Sequence, residues 1–133
     1  MSALNANHLR SLRSTLLIVE QMLNEMDEAM NRNNKDCCHE LLRDLDEEKQ
    51  LANRILIREA KQQICQMAEK YQTGKTTQSL QMIVNVKKTR IWEVLCDSKS
   101  KRLKGFGEFP KSLAADFDKD IDGLLAITEK IQI

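Results

Sequence analysis

The sequence is poor in the residues that interrupt regular structure. It has one proline, four glycines and 4% aromatic residues in 133. Sandwiches and barrels need turn residues at short, regular intervals and are rich in aromatic and β-branched side chains, so this composition disfavours them. With so few rings available, Leu, Ile, Val and Met must fill the core. No run approaches the ~18 apolar residues of a membrane span, so no membrane insertion is expected. Histidine is limited to His8 and His39, and no nucleophile elbow is present, so no Ser-His-Asp arrangement can be built. The cysteines Cys37, Cys38, Cys65 and Cys96 show no disulfide-framework spacing, and adjacent residues pair only under strain. Reduced thiols in a cytoplasmic protein are expected, consistent with Met1-Ser2-Ala3-Leu4-Asn5, which lacks the basic-then-apolar layout of a secretory signal.

Helical periodicity dominates what remains. Leu9, Leu12, Leu16, Val19, Leu23, Met26 and Met30 recur at alternating steps of three and four, the spacing of a helix that buries one seam. Leu17, Ile18, Met22 and Ala29 widen the seam into the stripe of a bundle helix. This first helix is predicted from Asn5 or Asn7 to Asn31, with Asn31-Arg32-Asn33-Asn34 as a connection. A second helix, capped by Asn34 or Asp36, is predicted from Asp36 to Tyr71. Its stripe from Cys38 through Leu41, Leu45, Ile55, Ile64 and Tyr71 is interrupted at Asp46-Glu47-Glu48-Lys49-Gln50. At 1.5 Å per residue it would be roughly 54 Å long, with a bend or an overhang.

Gln72-Thr73-Gly74-Lys75 marks a turn. Thr76 or Thr77 then caps a third helix carrying Leu80, Ile83, Val84, Ile91, Val94 and Leu95. Gly105, Gly107 and Pro110 force a loop, and Ser112 to Ile131 closes the chain with Leu113, Phe117, Ile121, Leu124, Leu125, Thr128 and Ile131 at helical spacing. The expectation is one all-α domain over residues 1–133, an antiparallel four-helix bundle with a long second helix.

The net charge of +1 conceals segregation. Residues 20–69 hold 7 basic and 12 acidic residues, whereas residues 70–111 hold 10 and 3. Lys87, Lys88 and Arg90, followed by Lys99, Lys101, Arg102 and Lys104, have Trp92 and Phe106 interleaved. Such a stripe offers contacts to nucleic acid or another polyanion, or complements the acidic second helix.

Asp118-Lys119-Asp120-Ile121-Asp122-Gly123 and the six residues that end at Glu129 resemble the twelve-residue calcium loop of the EF-hand family. On that resemblance Asp118, Asp120, Asp122 and Glu129 would be the ligands, Gly123 would make the sharp turn, and calcium would be the cofactor. Phe117 and Leu125 also resemble the family, but Ile121, Leu124, Ala126 and Ile127 depart from it and no second loop is present to pair. The plainer reading makes the whole segment the fourth helix, with no metal and its aspartates solvated. Gly74-Lys75-Thr76 lacks the upstream glycine of a phosphate loop, since Glu69 stands there. Asp36-Cys37-Cys38-His39 lacks the second ligand pair that a metal site needs.

The function expected is therefore non-enzymatic. The chain reads as a helical-bundle adaptor, chaperone-like or regulatory protein acting through protein–protein contacts, with self-association as a homo-oligomer. Six methionines, three of them at Met22, Met26 and Met30, suit an adaptable helix-binding surface. Calcium binding and polyanion binding are the alternatives.

Overall fold

A computed structural model describes residues 4–32 and 36–133. Among them every regular element is helical: α1 (Ala6–Asn31), α2 (Glu47–Tyr71), α3 (Leu80–Cys96), a short 3₁₀ helix (Ser100–Phe106) and α4 (Lys111–Glu129). The chain divides into two compact units, residues 1–76 and 77–133.

In the first unit α1 packs on α2. Asn5 opens α1, its side chain accepting the His8 N–H at 2.8 Å, as helix starts require. Contacts then run in opposite order along the two helices. Arg13 Nε donates to the Thr73 carbonyl at 2.5 Å and Lys61 Nζ to Asn24 Oδ1 at 2.7 Å, so the pair is an antiparallel hairpin. Leu16, Ile57 and Ile64 are its buried apolar residues. Gln72 takes the left-handed conformation at the end of α2 (φ 53°). The Thr73 N–H then reaches back to the Ala68 carbonyl at 3.1 Å, closing the last turn.

The second helix is shorter than its periodicity implies. It begins at Glu47 and not at Asp36, and at 25 residues it does not exceed the 26 of α1. Asp46 is the reason: its carboxylate accepts the Lys49 N–H at 2.8 Å, with Glu47 and Glu48 following in the first turn. That is a start signal favoured by the helix dipole, where the sequence suggested a bend. Residues 36–46 are irregular. Within them Arg43 Nη1 donates to the Ala29 carbonyl at 2.9 Å and Nη2 to that of Met30 at 2.5 Å. These carbonyls lie in the last turn of α1, where the Ala29 carbonyl also accepts the Arg32 N–H at 3.4 Å. The expected Asn33 connection and Asn34 cap lie outside the described residues.

In the second unit α3 packs on α4, and the 3₁₀ helix also packs on α4. Ser79, not Thr76 or Thr77, caps α3, accepting the Met82 N–H at 3.2 Å. Lys88 meets the Ile131 carbonyl and Ser100 meets Asp118, so this pair is antiparallel too. No apolar residue in the second unit is buried to the degree of Leu16, Ile57 and Ile64. Phe109 and Phe117 meet with their rings tilted, 5.0 Å between centroids, where the chain enters α4.

Candidate functional site

The first hairpin has two unlike sides, and the way its helices meet explains why. At 3.6 residues per turn, Leu16, Glu20, Asn24 and Asp27 form the row of α1 that is turned toward α2. The apolar stripe of α1 is centred about one row further round. α2 therefore covers only one edge of the stripe, held there by Arg13–Thr73 and Asn24–Lys61. Val19, Met22 and Met26 stay bare at 41%, 54% and 56% exposure.

The apolar side is a groove of about 530 Å³ between the two helices. Leu23, Met26, Met30, Leu56 and Ala60 line it, Leu45 from the irregular segment closes one end, and no charged side chain takes part. Large pockets walled by aliphatic and methionine side chains are the surfaces into which amphipathic helices dock.

On the opposite side the hairpin is polar. Asp27 and Asn31 face Arg54, Arg58 and Lys61 across an open cleft. Arg54 Nε is buried there without a hydrogen-bond partner. Thr73, 2% exposed, is buried where the hairpin closes.

The basic residues singled out from the sequence lie on two successive elements. Lys87, Lys88 and Arg90 lie on α3, while Lys101, Arg102 and Lys104 lie in the 3₁₀ helix just after Lys99. Lys88 Nζ donates to the Ile131 carbonyl at 2.9 Å, Arg90 lies 3.4 Å from Glu93, and Lys99 Nζ lies 2.6 Å from Asp122. Three of the seven cations thus have partners of their own. The hydrogen bond to Asp122 raises the Lys99 pKa above its ordinary value.

Asp118 through Glu129 lie within α4, so this segment is helical here. Helical geometry spreads the four carboxylates of the calcium pattern. Asp118 accepts the Ser100 N–H at 2.8 Å and its hydroxyl at 2.7 Å. These bonds, the backbone one foremost, lower the Asp118 pKa. Asp122, one turn on, holds Lys99. No group of three or more His, Cys, Asp or Glu side chains is placed to hold a metal ion among the described residues. Cys37 and Cys38 are exposed in the irregular segment rather than at a helix start.

Two residues the sequence left unremarked matter locally. Ser100 organises the entry to the 3₁₀ helix, and Arg43 completes the end of α1. Neither carries a signal detectable by spacing alone, because each partner is set by a chain reversal. Among the described residues no helix is long and apolar enough to cross a membrane. The chain matches no known protein family, no curated protein and no solved structure.

Proposed function

We propose that this is a non-enzymatic helical protein that works by helix–helix contact with another protein chain. The observation that carries the reading is the charge-free groove between α1 and α2, flanked by the bare side chains of Val19, Met22, Met26 and Leu56. Scattered apolar residues are ordinary on any surface, but contiguous ones bordering a groove mark interaction sites. Met22, Met26 and Met30 give such a surface side chains that adjust to the occupant.

The test is affinity capture with the full chain, using Met26→Glu as the control, followed by reciprocal capture with the protein identified. The reading expects capture that is strong with the wild type and lost with Met26→Glu. Capture indifferent to that change would remove the groove from the function.

A further inference from the structure

We infer that the 3₁₀ helix binds single-stranded nucleic acid, Phe106 stacking on a base while Lys101, Arg102 and Lys104 hold the flanking phosphates. This site lies wholly within the second unit and owes nothing to the groove of the first. Charge, the state of one ring and the shortage of other apolar surface lead to it.

Residues 98–107 carry Lys99, Lys101, Arg102 and Lys104 and no acidic residue. α4 brings two carboxylates to this segment, and both are already engaged. Asp118 accepts the N–H and the hydroxyl of Ser100, and Asp122 holds Lys99. Lys101, Arg102 and Lys104 are exposed and make no ion pair among the described residues. In a 3₁₀ helix residues three apart lie over one another, about 6 Å apart along the axis. Lys101 and Lys104 therefore share one side, as contact with a strand running along the helix requires. A partner that complements such free cations is a polyanion.

Phe106 is 92% exposed, more than any other large apolar side chain among the described residues. That exposure leaves both faces of its ring open. Gly105 and Gly107 flank it, and a Cβ built on either meets nothing within 4 Å, so nothing packed on its neighbours shields the ring. A lone exposed ring is ordinary on a protein surface. Set directly after three free cations, it makes the pairing that single strands bind, with bases stacked on an aromatic face and phosphates on Lys and Arg.

The remaining apolar residues of this stretch turn inward. Leu103 and Phe109 are half-buried, and Phe109 meets Phe117, so one ring is the apolar surface on offer. Membrane attachment scales with buried apolar area as well as charge, whereas stacking needs a single ring. A duplex keeps its base faces stacked inside, so the ring selects unpaired bases.

The experiment is fluorescence anisotropy of the full chain with short labelled oligouridylate and oligothymidylate and with a duplex of the same length, in a salt series from about 50 to 200 mM. Sedimentation with phosphatidylserine vesicles runs beside it. A single strand should bind in preference to the duplex, and the tighter of the two strands names RNA or DNA as the source. Phe106→Ala should weaken binding about tenfold through lost stacking. Joint replacement of Lys101, Arg102 and Lys104 by Ala should flatten the slope of log affinity against log salt by about two, each lost phosphate contact removing about 0.7. Replacing Arg10, Lys49 and Lys70 by Ala takes the same charge from exposed positions of the first unit and should leave affinity and slope nearly unchanged. All seven positions are exposed, so helix content by circular dichroism should match the wild type throughout.

Single strands that do not bind overturn the inference, as does duplex bound equally well. Affinity that survives Phe106→Ala, or a salt slope that survives loss of the three cations, removes the 3₁₀ helix from the contact. An equal loss in the first-unit control would reduce binding to net charge and also overturn it. Vesicle binding that depends on Phe106, without binding of either strand, would make the same patch a membrane contact instead.

Discussion

The two helical hairpins have the same outline and are held by different forces. The α1–α2 hairpin is organised by an apolar seam that includes Leu16, Ile57 and Ile64, with polar ties added at Arg13–Thr73 and Asn24–Lys61. The α3–α4 hairpin has no apolar residue buried to that degree. Its defined links include polar ones: Lys88 to the Ile131 carbonyl, Lys99 to Asp122 and Ser100 to Asp118. Burial is non-directional and scales with area, whereas an exposed polar link contributes little and depends on pH and salt. The first hairpin should therefore respond to changes in side-chain volume, and the second to changes in charge.

The sharpest way to break this contrast is to hollow the seam. Ile57→Ala removes three carbons from a residue only 8% exposed and should cost about 2–4 kcal/mol in urea unfolding. Leu125→Ala, at a half-buried position of α4, should cost about 1 kcal/mol or less. Equal losses at the two positions would mean that the second hairpin has an apolar core of comparable weight.

Next in size is the tie that closes the first hairpin. Arg13→Ala leaves the Thr73 carbonyl without its donor at a point where Thr73 is almost wholly buried. A loss of about 1–2 kcal/mol is expected. Hydrogen exchange should rise at the Thr73 and Gln72 amides before it rises in the middle of α2. Unchanged exchange there would make the tie incidental.

Much of the helix pattern was legible in the sequence, because the three-four spacing of Leu12, Leu16, Val19, Leu23 and Met26 has no strand equivalent. The start of α2 was not. Cys38, Leu41, Leu42 and Leu45 continue the apolar phase of the helix that follows them, so the pattern runs on where the backbone does not. The polar run from Asp46 looked like an interruption in a long helix, yet it is a cap with acidic residues in its first turn. Arg43 reinforces the break by bonding backward to the end of α1, a contact set by tertiary reversal and invisible to periodicity. The candidate groove was legible only in part. Met22, Met26 and Met30 stood out as a group, but periodicity alone could not show that α2 packs to one side of their stripe.

A smaller effect, of opposite sign, tests the second hairpin at Gly123. This residue lies inside α4 without a positive φ, and a Cβ built on it meets nothing within 4 Å. Gly123→Ala should then raise stability by about 0.5–1 kcal/mol, since glycine is a poor residue in a helix interior. In a calcium loop the same position makes a sharp turn that alanine opposes. A thermal melt in EDTA and again in millimolar calcium completes the test. With α4 helical, the midpoint should rise by a few degrees on the substitution and stay unmoved by calcium. A fall on substitution together with a calcium-dependent rise in the wild type would establish the loop instead.

The finest distinction concerns pH. Asp118 is held below the ordinary carboxylate range by the Ser100 N–H and then by its hydroxyl. In the unfolded chain it would titrate near about 4. Its contribution is thus complete above that value and is lost as pH falls through the lower, folded value. Lys99 runs the other way. Its bond to Asp122 raises its pKa above 10.5, so its contribution is complete below the unfolded value and lost as pH climbs through the folded one. The apolar seam of the first hairpin has no such dependence. Carbon-detected NMR titration of the Asp118 carboxyl should give a midpoint below that of an ordinary aspartate. Ser100→Ala should move it only part of the way back, because the backbone N–H remains. A wild-type midpoint at the ordinary value would break the tie between the 3₁₀ helix and α4.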